Sequence, residues 1–366
     1  MRIARAVLVV MALVLISVNS VGAQEPTSIK ASLAEFDAST ELIDVEWSPD
    51  GESLAASSFD GVFILDASLQ LQAHIYPNQQ IRGISWNPAG NRLALTHGAN
   101  LEIWGWDAMA RTLVLEHSLP GNNLQAGVLW SPNGLWIVTQ EIMEQALDEL
   151  GVLHGAFHFW NTAPFESRFL SDGLYDFSAG TIHQASWSPD GQPVLAGVGG
   201  YGQLENGIPI AESGRVIYMI DAETGLRLQE FPTVGSISWA IAWRPPLGDL
   251  VADVSEGGMG LYEVTSGAFV ADIFVLNVHS LDWSPDGRYL AGDNVIFDVS
   301  AGNAYLGSFD LAGGVLDVDW HPSGTRLAVA RWDGNLSVQD TTRLPGFELP
   351  VLPAITPKPT PAPTPG

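Results

Sequence analysis

The chain of 366 residues contains no cysteine, so no disulfide and no lipid-modified N-terminal cysteine can be built from it. Positive charge is nearly as scarce. Lys30 and Lys358 are the only lysines, and 41 acidic residues face 15 basic ones, for a formal net charge of −26. Phosphate backbones need clustered Lys and Arg, so the balance argues against a nucleic-acid partner and against docking on an anionic membrane. It favours solubility and partners with basic surfaces. Long hydrophobic runs are also missing. The longest, Ala6 to Val18, has 13 residues, short of the 20 or so that span a bilayer as a helix.

That run follows a basic start (Arg2, Arg5) and precedes the small residues Val21, Gly22 and Ala23. The order is that of a secretory signal covering residues 1–23, the alternative being a membrane anchor that stays in place. Cleavage takes the net charge from −26 to −28, because two arginines and no acids are lost. The mature chain is expected to be secreted or held in the cell envelope, monomeric, and without membrane insertion. At the other end, residues 349–366 hold seven prolines (Pro350, Pro353, Pro357, Pro359, Pro361, Pro363 and Pro365) among Thr, Ala and Val. Such a segment has too few N–H donors for a ladder, and reads as a polyproline-like stalk or a disordered tail.

Between these ends one motif recurs. Trp-x-Pro-x-Gly begins at Trp47, Trp86, Trp130, Trp187, Trp283 and Trp320, with a copy one residue longer from Trp243 to Gly248. The versions reading Ser-Pro-Asp-Gly suit a type I turn, with Pro setting φ at the second position and Gly at the fourth. Two residues before each Trp stands Val45, Ile84, Val128, Ala185, Ile241, Leu281 or Val318. Apolar residues two apart mark one face of a strand entering the turn. A second strand follows (Leu54 to Ser57, for example), then a short turn, a third strand and a weaker fourth. The tryptophans are 39, 44, 57, 56, 40 and 37 residues apart, the period of a four-stranded propeller blade. The expectation is an all-β, seven-bladed β-propeller over residues 24–348, with residues 28–36 supplying the missing outer strand of the seventh blade and closing the ring.

Through these seven turns the chain resembles the WD-repeat β-propellers over roughly residues 28–345. The Trp-Asp pair of that family ends a third strand only at Trp106-Asp107, since Trp332-Asp333 falls in a turn, and the Gly-His pair is missing. The family's buried His–Ser/Thr–Asp–Trp network is therefore expected to be mostly absent, with Asp60 and Asp333 the best surviving Asp positions. The resemblance implies that the loops joining second to third strands share one face with the interblade connections, and that this face binds partners.

Both long repeats lengthen that loop, at about residues 140–154 in blade three and 197–215 in blade four. Ile142, Met143, Ala146, Leu147 and Leu150 follow a helical period, which gives either a helix shaping a partner site or one merely covering apolar surface. Tyr201 is the matching candidate in blade four, in a Gly-rich stretch that reads equally as a solvated loop. Four residues before a motif Trp stand Arg82, His183, Trp239 and His279, either a small-ligand ring at the channel mouth or ordinary packing. Asp44, Glu46, Asp282, Asp317 and Asp319 come from blades one, six and seven, neighbours once the ring closes. They form a hydrated acidic wall or a site for a hard cation such as calcium. No Gly-x-Ser-x-Gly elbow or His-Glu-x-x-His helix is present. The function expected is a non-catalytic scaffold for a protein, peptide or glycan partner, without a cofactor. The alternative is a calcium-dependent, lactonase-type enzyme or small-molecule binder using the acidic channel.

Overall fold

The computed structural model describes residues 28–142, 153–170, 175–177, 185–198, 204–205, 208–209, 216–232, 238–255, 258–273, 278–311 and 313–352. Residues 1–27, which include the expected signal segment, and residues 353–366 of the proline-rich tail lie outside them. The strands form seven four-stranded antiparallel meanders arranged as the blades of a propeller. Blade one is typical, with strands Leu42–Trp47, Ser53–Ser58, Gly61–Asp66 and Leu71–Ile75. The first strand of each blade ends in its motif Trp: Leu42–Trp47, Ile84–Trp86, Leu124–Trp130, Ala185–Trp187, Ser238–Trp243, Leu281–Trp283 and Val315–Trp320. Each touches the first strand of the next blade, and the seventh touches the first, so these seven strands line the axis of a closed ring.

The motif turns have the geometry their composition calls for. The N–H of Gly51 donates to the carbonyl of Ser48 at 2.8 Å, and the same bond recurs at Gly90, Gly134, Gly191, Gly287 and Gly324. In the longer copy Gly248 donates to Arg244, one residue further back. Ser and Asp of the motif brace the turn from inside: the Ser48 hydroxyl donates to Asp50 at 2.6 Å and accepts the N–H of Ser53 at 2.9 Å. Each turn packs beneath the preceding blade, and Gly287 is the tightest example. It has φ +70°, and a Cβ there would stand 1.9 Å from the carbonyl oxygen of Pro245.

The core is divided. Seven apolar clusters lie one at each interface between neighbouring blades, including the seam between blades seven and one. This explains the composition of the second strands. Ser53–Ser58 (SLAASS) is buried at every position, because both faces of the strand meet a neighbouring blade, and small Ala and Ser residues allow the close approach. The outer strands alternate weakly and stay exposed, as in Thr112–Pro120.

The ring closes through the N-terminus, in two parts. Ser32–Asp37 pairs antiparallel with Asn335–Asp340 and completes blade seven. Ser28–Ile29, expected in the same strand, instead runs parallel to Ala304–Phe309 of blade six. Buried Ala31 lies between the two, and its carbonyl accepts the N–H of Asp340 at 2.9 Å. The N-terminus thus staples blade six to blade seven as well as seven to one. After the last strand the chain turns under blade six, where Phe347 stacks on Tyr289 at 4.7 Å and Glu348 pairs with Arg288.

Gly302 has a similar φ of +77°, with nothing within 4 Å of where its Cβ would stand. Gly302→Ala should cost only the left-handed backbone penalty, about 1–2 kcal/mol, whereas Gly287→Ala should cost at least about 2 kcal/mol more because backbone must move. Urea unfolding measures both, and equal losses would contradict this account of the turns.

Candidate functional site

A cavity of about 230 Å³ occupies the channel and is lined by all seven first strands. Its wall is divided. Blades one, six and seven contribute Asp44, Glu46, Asp282, Asp317 and Asp319, while blades three to five contribute mainly apolar groups such as Val128, Leu129, Ile241 and Ala242. The five acids expected to cluster are therefore brought together.

Their oxygens are engaged in a specific way. Asp44 accepts the N–H of Ile84 at 2.9 Å, and Glu46 accepts the N–H of Trp86 at 3.1 Å, both in blade two. Asp282 accepts the N–H of Trp320 in blade seven at 2.6 Å. Across the seam, Asp317 accepts the N–H of Val45 at 2.8 Å and Asp319 that of Trp47 at 2.6 Å. Asp317 also accepts the Ser280 hydroxyl at 2.7 Å. Each carboxyl reaches from its own first strand to the backbone of the next blade's first strand. Shorter residues repeat the contact elsewhere: the hydroxyls of Ser85 and Ser186 accept the N–H groups of Trp130 and Trp243, each at 3.0 Å. These side chains are clasps between blades, satisfying backbone donors that no sheet ladder reaches.

Crowding acids along a narrow channel disfavours their ionised forms. Burial is the leading cause in each case. It lifts Glu46 to about 8 and Asp282 to about 7. Asp44 stands well above the usual carboxylate range through burial and the charge of Asp317, and Asp319 through burial and the charge of Asp282. Glu46, Asp282 and Asp319 are partly exposed, but only to the channel, with protein on their other sides. As a calcium cage the set fits poorly. Oxygens already accept backbone N–H groups, burial disfavours the ionised forms of Asp44, Glu46, Asp282 and Asp319, and among the described residues no group of three His, Asp or Glu side chains converges at ligating spacing.

The mouth residues are only partly assembled. Trp239 and His279, in neighbouring blades, meet edge-on at 5.6 Å. Trp239 also packs on the apolar cluster between blades five and six. His279 is held by Asp293, which accepts its backbone N–H at 2.9 Å and whose hydrogen bond raises the imidazole's pKa. Arg82 is half-buried on blade two, and His183 lies outside the described residues. Of the loop candidates, Met143, Leu147 and Tyr201 lie outside them too. Ile142 is not part of the expected helix, whose other positions, Met143, Ala146, Leu147 and Leu150, lie outside the described residues. It is the last residue of the strand Trp136–Ile142, pairs with Leu124 and Gly155, and is buried against blade four. Its strand neighbours compete successfully with the helical period, so the blade-three loop is residues 143–152. In blade four a small hairpin, Leu204–Glu205 with Ile208–Pro209, stands within residues 199–215.

Fold and channel together define a seven-bladed propeller whose blades are clasped by side chain to backbone bonds. A family model described as WD domain, G-beta repeat matches residues 30–65 and 305–340, which supports the WD-repeat propeller family. Each matched segment starts in the outer strand of one blade and runs through the first three strands of the next. The sequence repeat is thus offset from the structural blade, and closure by the N-terminal strand follows from that offset.

The channel acids give a pH dependence of defined sign. The folded ring keeps protons that the unfolded chain has released, so stability falls as pH rises from the ordinary carboxylate range towards 8. Glu46→Gln cannot ionise yet keeps an oxygen for the Trp86 N–H. Calorimetry should show its melting temperature raised by several degrees at pH 8, from about 1–3 kcal/mol of relieved strain on the charge, and nearly unchanged at pH 4.5. A lower melting temperature at pH 8 would mean that the ionised carboxylate is the stabilising species.

Proposed function

We propose that the protein is an exported scaffold that binds a protein, peptide or glycan partner on the face from which the loops between second and third strands emerge. A WD-type propeller is consistent with a protein-binding scaffold. One observation carries the choice of face. In five blades the second and third strands are joined by two or three residues, whereas residues 143–152 in blade three and 199–215 in blade four make much longer connections. The two are neighbours in the ring. Because every blade runs in the same sense, both leave on the face opposite the Trp-x-Pro-x-Gly turns. Long loops on a rigid support are where propellers and other scaffolds place recognition. The acidic excess of the chain suits a partner with a basic surface.

Photo-crosslinking tests the reading. A photoreactive residue replaces Tyr201 on the loop face, or Met109, which is 97% exposed in a turn on the opposite face. The expected result is a partner cross-linked in the native envelope fraction from position 201, not from 109, and loss of that partner from a pull-down with a chain in which residues 144–151 and 200–214 are replaced by short Gly-Ser links. Cross-linking from Met109, or binding that survives the loop replacements, would overturn the assignment.

A further inference from the structure

Blade three carries a second polar cluster, away from the channel, on the side that faces blade two. His158 is buried in the third strand, Leu153–Thr162, with its ring stacked on Trp160 at 3.8 Å. Its Nδ1 is 2.7 Å from the Glu141 carboxylate, which is wholly buried in the second strand. Its Nε2 is 2.7 Å from the hydroxyl of Ser167 in the outer strand, Phe165–Leu170. Glu141 is itself oriented by Asn123, which donates to its other oxygen at 2.8 Å. Unlike its two partners, Ser167 is exposed.

We propose that Ser167 is a nucleophile activated by His158 and Glu141, and that the surface where the outer strands of blades two and three meet hydrolyses small esters. Recognition of such a triad rests on geometry and roles, not on chain order or fold. Here a buried carboxylate fixes one imidazole nitrogen, and the other meets a hydroxyl open to solvent. Burial lowers the pKa of His158, leaving the neutral imidazole that a general base requires at neutral pH. Glu141 stays ionised, since Asn123, Gln125 and His158 outweigh the opposing effect of its burial.

The surroundings suit a small acyl or aryl group. Phe165 is two residues from Ser167, so the two side chains point the same way, about 7 Å apart along the strand. Phe165 borders a cavity of about 230 Å³ with Pro88, Arg92 and Trp130. Ser167 sits beside a bulge: Phe159 pairs with Phe169 and Trp160 with Ser167, which leaves Arg168 unmatched. Among the described residues the strand is the outer edge of its blade, and its outward N–H groups are the donors at hand for an oxyanion.

In the reaction His158 Nε2 takes the Ser167 proton as Oγ bonds to the ester carbonyl carbon. The carbon–oxygen bond to the alcohol breaks, and the leaving oxygen takes the proton from Nε2. Water then gives a proton to Nε2 and its oxygen to the acyl carbon. The acid departs, and Ser167 Oγ is reprotonated. Ester and water are consumed, and acid and alcohol are formed.

The full-length protein is treated with a biotinylated fluorophosphonate and, separately, with p-nitrophenyl acetate. The result expected is a phosphonyl adduct mapped to Ser167 by mass spectrometry, and ester hydrolysis that falls about 100-fold or more in Ser167→Ala. Exposed Ser167 tolerates that change without loss of fold, which circular dichroism checks. Glu141→Gln should keep the adduct site but slow labelling and shift the pH profile of hydrolysis. An unmodified Ser167 under conditions that label trypsin, or hydrolysis unchanged in Ser167→Ala, would overturn the proposal and leave the cluster as a brace between strands.

Discussion

No blade of this protein can bury its own apolar surface. Each is a single twisted sheet whose two faces need two neighbours, and the seven clusters of buried side chains lie between blades rather than within them. Stability therefore belongs to the closed ring. Without cysteine, no covalent bridge closes it. The seam between blades seven and one rests on pairing of the N-terminal strand, on the apolar cluster at that interface, and on the Asp317 and Asp319 clasps to Val45 and Trp47.

The clasps set the character of the channel. Backbone N–H groups on the first strands have no ladder partner on the axial side, and among the described residues side chains of the preceding blade satisfy them at five of the seven seams. Serine does this between blades two and three and between four and five, and carboxyl groups do it around the seam. Using acids where hydroxyls suffice elsewhere draws protons into the ring, because burial disfavours the ionised forms. Ring closure is thereby linked to pH. The clasps and the motif turns lie on the axis and on the face opposite the long loops.

The fold is legible in the sequence because the turn chemistry is local. Pro and Gly at fixed offsets from Trp report their own φ values, and seven such turns at blade spacing define the ring. The closing strand is legible as a deficit, one strand short in blade seven and one spare segment at the start. Its division at Ala31 between two blades is not, since two residues of parallel pairing leave no periodic mark. Strand alternation places the channel acids correctly, but their partners lie up to 272 residues away in the chain, and only the closed ring shows that backbone donors meet them. Ile142 misleads because a short apolar run fits both periods. Glu141, His158 and Ser167 are not readable as a set because their meeting depends on the register of three strands and a bulge.

The most direct test of this account is urea unfolding of the chain with and without Ser28–Asp37. If the ring is the unit of stability, removing the closing strand opens the seam, lowers the unfolding midpoint sharply and replaces one cooperative transition by a broad or stepwise one. An unchanged midpoint with a single sharp transition would show that the blades stand without closure, and would contradict the central claim.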